Sequence, residues 1–339
     1  MKNQYKLTTK IKQLCGGVAT ALLLASPSLA DYSAHPGSEA FIKTMVEKHN
    51  FDRDWVIGVL KQAEPKQSIL DAMSRPAESV MTWGRYRKIF IQDSRVDQGA
   101  EFWREHRATL ARAEREYGVP ASMIVGIIGV ETRYGRNKGS YRVVDALATL
   151  GFDFPRRSSF FLGQLEEYML MVREQSFDPF DLKGSYAGAM GFGQFIPSSY
   201  RAYAVDFDGD GKIDIVNNPV DAIGSVANYF KRHGWRAGEP VVSGAVLKKN
   251  ADTSLFNAGL KPTKTVLELS KAGIGSDRAL PPELKATAMK LDGDEGDEYW
   301  IGLKNFYVIT RYNHSAMYAM AAYQLSQLIE AKVNGVAGS

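Results

Sequence analysis

A mainly helical α+β fold is predicted by three features of this 339-residue chain. The stretches Asp31–Tyr117 and Val143–Glu174 repeat apolar residues at helical spacing. Met123–Val130 is apolar almost all round, which marks a helix buried in a core. After Gly234 the pattern changes to short β-branched or alternating runs between Gly, Pro and Asp turns, which marks strands.

The first thirty residues stand apart from that fold. Lys2, Lys6, Lys10 and Lys12 make a positive start, Gly16–Ala25 is a short apolar run, and Ser28-Leu29-Ala30 is a small-x-small pattern before Asp31. This is the layout of a secretory signal peptide, with an apolar run too short to span a bilayer. A retained anchor or an ordinary N-terminal helix is the alternative. Cys15 precedes the apolar run, so it does not fit a lipid-anchored cysteine. The segment holds four lysines and no carboxylate, so without it the formal charge of +4 falls to zero. A neutral chain offers no footprint for nucleic acid. The sole cysteine leaves too, so an exported chain of this kind must be held by its core. No later apolar stretch is long enough for stable membrane insertion.

Within the helical part, Glu101–Tyr117 reads as one half-exposed helix with Phe102, Leu110, Ala113 and Tyr117 inward and a solvated face of Arg/Glu pairs. Gly118-Val119-Pro120 ends it. Gly126 and Gly129 weaken the next helix but allow another backbone to come close. Val143–Glu174 is helical with a break near Phe154-Pro155, and Val220–His233 is helical again. Between them lie a glycine-rich turn region, Gly184–Gly193, and an acidic loop, Asp206–Asp214. The strand candidates are Val241–Leu247, Thr263–Leu269, Ala286–Leu291 and Trp300–Tyr312. Ser315–Lys332 closes the chain as an amphipathic helix with Met317, Met320, Ala321, Leu325 and Leu328 on one side, as core packing.

Glu131 follows the apolar run Ile124–Val130. Apolar flanks disfavour the charged carboxylate and raise its pKa, which a general acid needs to hold its proton near neutrality. On spacing alone, an ordinary helix-end glutamate paired with Arg133 or Arg136 is the competing reading. Asp145 is the other candidate acid, but Asp145-Ala146-Leu147 reads as a helix start.

Four motifs shift that balance. Ile128-Gly129-Val130-Glu131-Thr132-Arg133-Tyr134-Gly135, Asp145–Leu150 and Ser185–Tyr200, with Arg311-Tyr312-Asn313 near the end, closely resemble the B-type lytic murein transglycosylases. The resemblance runs from about Trp83 to Leu328. It implies a lysozyme-like core in which one glutamate, here Glu131, does the acid and base work on peptidoglycan glycan strands. It also implies cleavage of the MurNAc-β-1,4-GlcNAc bond with formation of a 1,6-anhydro ring, a periplasmic location, and cell-wall synthases as possible partners. Ser185 and Gln194 become substrate-binding candidates, the alternative being a tight turn in which both satisfy local backbone. Tyr86, Phe192, Tyr312, Asn313 and Tyr318 match groove-lining positions, since an aromatic ring offers an apolar face to sugar C–H groups. Phe160 departs from the family, which often has tyrosine there. The division that follows is 1–30 signal peptide, 31–120 helical region, 121–235 lysozyme-like core, 236–308 strand-rich subdomain, and 309–339 a segment completing the cleft.

Asp206–Asp214 follows the EF-hand calcium pattern, with Asp206, Asp208, Asp210 and Asp214 at positions 1, 3, 5 and 9 and Gly211 at 6. Lys212 holds position 7, and Asn217 stands where a bidentate glutamate is usual. The family has such a site, and Asp221 fits its late acidic ligand. The expectation is a structural Ca²⁺ within 206–221 and no organic cofactor, against a metal-free polar turn. Two rival functions remain open at this level: a hydrolytic muramidase on the same fold, and a calcium-dependent murein-binding protein without turnover.

Overall fold

The computed structural model describes residues 31–74 and 81–335, so the signal-peptide reading of 1–30 lies outside the described residues. The chain enters through three helices, α1 (Ser38–His49), α2 (Arg53–Gln62) and α3 (Gln67–Ser74). The Asp52 carboxylate accepts the Trp55 amide at 2.8 Å and so caps α2. Next come α4 (Trp83–Phe90), α5 (Asp93–Glu105) and α6 (Arg107–Tyr117). The single helix expected over Glu101–Tyr117 is therefore two, hinged at His106, whose φ of −104° and ψ of 24° are not helical. The bend lets α5 pack on the later helices α7 (Ala121–Thr132) and α14 (Ala316–Val333), while α6 reaches α7 and α11 (Pro219–Arg232). A straight rod of that length could not do both.

Helix α7 is the hub, and every residue in it except Glu131 is buried. Its glycines explain how neighbours come so close. A Cβ at Gly126 would lie 2.9 Å from the Ala322 carbonyl and from Ser326 Cβ of α14, and one at Gly129 would lie 2.6 Å from the Tyr134 hydroxyl. Close backbone approach has displaced helix propensity here.

Strand β1 (Tyr141–Arg142) pairs antiparallel with β2 (Lys183–Gly184), closing off α8 (Val143–Asp153) and α9 (Ser158–Gln175). The break expected at Phe154-Pro155 is present as a short 3₁₀ turn. Helix α10 (Pro197–Tyr203) then packs on α9 and α11.

The later region forms an antiparallel five-stranded sheet. Its order is β4 (Lys264–Thr265), β6 (Lys285–Gly293), β7 (Gly296–Gly302), β3 (Val242–Leu247), β5 (Ile274–Ser276). Two strand expectations fail. Only two residues of Thr263–Leu269 are strand, because Thr265 and Glu268 form a capping box that starts α12 (Val266–Lys271). Trp300–Tyr312 is strand only to Gly302, and α13 (Lys304–Tyr312) follows. Its β-branched composition is overridden by tertiary anchoring: buried Asn305 accepts the Arg236 amide and donates to the Arg236 and Glu239 carbonyls. Helix α14 begins where expected, with the Ser315 hydroxyl accepting the Tyr318 amide at 3.2 Å. Met320, Ala321 and Leu325 are buried, whereas Leu328 is 38% exposed and Met317 only half-buried.

A large continuous core joins the helices, and a smaller one around Leu269, Ile274 and Ile301 lies at the sheet and α12. Among the described residues no helix is long and apolar enough to cross a membrane.

Candidate active site

Glu131 occupies the last turn of α7 and is half-buried. The Tyr318 hydroxyl, on α14, donates to its Oε1. Burial pushes the carboxyl from its ordinary 4.5 up to about 7, and the Tyr318 bond opposes that rise in part. Desolvation wins because one hydrogen bond cannot replace the water a carboxylate loses.

The competing ion pair does not form. After Thr132 the backbone turns left-handed at Arg133 and Tyr134, with φ of 51° and 60°. That turn carries the Arg133 guanidinium to Gln98 Oε1 at 2.8 Å and Ser94 Oγ at 3.0 Å. Arg136 pairs instead with Glu101 at 3.8 Å. Two residues that the sequence reading passed over hold this turn. The Thr132 hydroxyl donates to the Phe192 carbonyl at 2.9 Å and accepts the Gly135 amide at 3.0 Å. The Tyr134 hydroxyl donates to the Arg95 carbonyl at 2.8 Å. Nothing local in the sequence announces contacts that span tens of residues.

Tyrosines surround the carboxyl. Tyr312, at the end of α13, donates to the Gly193 carbonyl at 2.6 Å, and Tyr86 is buried on α4. Burial and then the Glu131 charge push the Tyr312 and Tyr318 hydroxyls well up, and Tyr86 adds to the rise at Tyr318. Asn313 is exposed just beyond, its carbonyl accepting the Ser315 amide at 2.7 Å. Phe192 is half-buried beneath the Lys138 ammonium, which lies 4.9 Å from the ring centroid.

Ser185 and Gln194 are both engaged locally. Ser185 Oγ accepts the Ala187 and Ala189 amides at 3.3 and 3.1 Å. Gln194 has a positive φ of 51°, and its side-chain amide donates to the Lys138 and Gly191 carbonyls at 3.2 and 3.1 Å. They thus build the turn, and both remain half-exposed. Asp145 is a helix-start residue: it is buried in the first turn of α8 and gripped by Arg142 through two bonds of 2.8 Å. Phe160 is exposed with the Arg157 guanidinium 4.4 Å from its ring centroid.

In the acidic loop, ligand oxygens of Asp206, Asp208 and Asp210 all lie within 4.8 Å of one another. Asp206 accepts the amides of Gly209, Asp210 and Gly211, which holds its carboxyl below the ordinary range. Gly211 takes the left-handed φ of 89° that this tight turn needs. Two expected ligands are not in that cluster. Buried Asp221 accepts the Phe207 and Asp214 amides at 2.7 and 2.8 Å, and Asp214 accepts the Val216 and Asn217 amides. The Lys212 amide donates to Asp210 at 2.8 Å.

Comparison with known proteins gives three concordant likenesses. The family model described as Transglycosylase SLT domain matches residues 33–327. Membrane-bound lytic murein transglycosylase B of Escherichia coli (strain K12) is 48% identical over 308 residues, covering 88% of this chain and 84% of that protein. Among solved structures, lytic transglycosylase SltB1 of Pseudomonas aeruginosa matches with a TM-score of 0.87 and 55% identity over 89% of this chain and 100% of that one. Escherichia coli Slt35 in complex with calcium matches with a TM-score of 0.82 and 47% identity over 90% of this chain and 96% of that one.

Proposed function

The chain belongs to the transglycosylase SLT domain family and is a lytic transglycosylase of peptidoglycan; from that premise we propose that Glu131 is its single acid and base. One observation carries this reading: a half-buried carboxyl raised to about 7, steadied by Tyr318 and, among the described residues, paired with no arginine. At neutral pH a large share of it holds a proton. The Tyr318 hydroxyl occupies Oε1, which leaves Oε2 for that proton.

Glu131 gives the proton to the glycosidic oxygen as the MurNAc–GlcNAc C–O bond breaks. The sugar's own N-acetyl group steadies the cationic anomeric carbon. Glu131, now a carboxylate, takes the proton of the muramoyl 6-hydroxyl as that oxygen bonds to the anomeric carbon. A 1,6-anhydro ring results, no water is consumed, and Glu131 is again protonated. Ordinary glycosidases need a second carboxylate to handle water or a covalent intermediate. A nucleophile within the substrate has a high effective concentration and removes that need. Tyr86, Phe192, Tyr312, Asn313 and Tyr318 line the glycan groove in this reading, while Ser185 and Gln194 shape its wall and face the sugar's polar groups.

The donor set of Asp206, Asp208 and Asp210 fits a hard cation, and a relative of similar fold is solved in complex with calcium. We assign it a structural Ca²⁺, with the Lys212 carbonyl completing the loop and Asp214 and Asp221 holding its frame. The first thirty residues act as a signal peptide delivering the enzyme to the periplasm, where its substrate lies.

A digest of peptidoglycan by the wild-type protein and by Glu131→Gln, read by mass spectrometry, tests the reading. Anhydro products from the wild type and none from the variant are expected. Products one water heavier mean a hydrolytic muramidase, and equal lysis by both proteins removes Glu131 from catalysis.

A further inference from the structure

We propose that a basic groove leading away from the catalytic centre binds the carboxylate-bearing peptide stems of the glycan strand; this rests on the reading above. Three hollows share walls. The first, about 560 Å³, lies between the start of α4, strand β6 and Ser315–Met317, the turn immediately before Tyr318. It shares Gly259 and Leu260 with a second of about 320 Å³, which is bounded by Tyr307 and His314. That one shares Lys261 and Tyr307 with a third of about 370 Å³. The path therefore starts beside the partner of Glu131 and runs along α13 to the β4–β6 edge of the sheet.

Its charge changes along the way. In the inner hollow Lys290 is neutralised by Asp297 at 2.7 Å. The outer hollows carry Lys261, Lys264, Lys285 and Lys304, none in an ion pair among the described residues. Nearby acids are mostly committed elsewhere. Glu239 holds Arg236 at 3.2 Å, and Glu268, which faces Lys264 and Lys285, caps α12 through the Thr265 amide at 2.6 Å. Among the described residues that line the outer hollows, Glu283 alone remains. This surplus stands out because residues 31–339 carry no net formal charge.

Lys285 donates to the Thr263 carbonyl at 3.5 Å and Lys304 lies 5.6 Å from the Tyr307 ring centroid, but neither contact supplies a counter-charge, and a neutral sugar chain has no use for ammonium groups without one. A peptide stem does, since it ends in at least one carboxylate, and a lysine is a mobile point charge suited to such a partner. The stem hangs from the muramic acid, one of the two sugars whose bond is cut. A strand with its scissile bond at Glu131 thus has a stem within reach of the groove.

The test pairs two substrates, peptide-bearing peptidoglycan and the same glycan stripped of stems by an amidase, which leaves on each muramic acid only the short lactyl carboxylate at the ring and removes the carboxylates that the stem carries out to the groove. For Lys261→Glu/Lys264→Glu/Lys285→Glu, kcat/KM is expected to fall about tenfold on the first and stay unchanged on the second. The neutral triple Lys→Gln variant gives a smaller fall in the same direction and guards against misfolding of the reversed protein. Arg104→Glu/Arg107→Glu/Arg115→Glu, the same charge change placed on α5 and α6, leaves both rates unaltered. Equal losses on both substrates, no loss on either, or a matching loss in the α5–α6 variant overturns the groove. Failure of the catalytic reading shows separately, as lysis by Glu131→Gln or absence of anhydro products.

Discussion

At the scale of one residue, Glu131 ties stability to pH in a direction that can be worked out. Its proton is held more tightly in the folded chain, at about 7, than in the unfolded chain, near 4.5. Stability from this group is therefore fully present below pH 4.5 and is lost as the pH rises towards about 7. Glu131→Gln has no such dependence. It is expected to melt above the wild type at pH 8, by about 1–3 kcal/mol, and the gap closes by pH 5. A gap that ignores pH refutes the raised pKa. In the proposed mechanism the rate carries the same signature, because the first step uses the protonated form, so kcat/KM is expected to fall above pH about 7. Tyr318→Phe removes a bond that favours the ionised carboxylate. Its falling limb should move to higher pH while kcat drops, and an unmoved limb would separate Tyr318 from the acid.

At the scale of an element, the contrast between two helical glycines is informative. Gly126→Ala gains about 1 kcal/mol of helix propensity but drives a methyl into the Ala322 carbonyl and Ser326 on α14, an overpacking cost of about 1–3 kcal/mol. The clash falls on backbone, so the cost should win, lowering the melting temperature and, because α14 carries Tyr318, the activity. Gly58 in α2 has open space around it, so Gly58→Ala should stabilise by up to about 1 kcal/mol and leave activity alone. A melting series on the two variants checks both signs. The same elements show what the sequence could and could not reveal. Helix α7 was legible because its apolar run admits no other reading, and Glu131 because long motifs surround it. The Tyr318 bond was not legible as a contact, since 187 residues separate the partners. The capping box at Thr265 was legible and overlooked, because a β-branched run suggested a strand first. Helix α13 was hidden because burial of Asn305 against Arg236 and Glu239 decides it, and that is a tertiary fact.

For the whole molecule, the acidic loop matters through what it is fastened to. Ile213 donates its amide to Gln175 of α9 at 3.1 Å, Arg112 of α6 donates to the Phe207 carbonyl, and Asp221 belongs to α11. The Lys138 ammonium reaches the Val216 carbonyl at 2.6 Å, and the Lys138 carbonyl holds Gln194 in the glycine-rich turn. The loop thus braces three helices and the wall beside Glu131, while its three clustered carboxylates repel one another unless a cation lies between them. Calcium should therefore raise stability without altering the acid. At a hundredfold excess over Kd the gain is about 2.7 kcal/mol, a melting shift of roughly 4 °C for a chain of this size between calcium and chelator. Asp210→Asn weakens the site and relieves repulsion. Its melting temperature should lose most of the calcium response yet match or exceed the wild type in chelator. The limb of kcat/KM set by Glu131 should keep its pH in either condition. Identical wild-type melts in calcium and chelator sink the structural Ca²⁺. A limb that moves with calcium means instead that the loop reaches the acid electrostatically, and the brace would then be only part of its work.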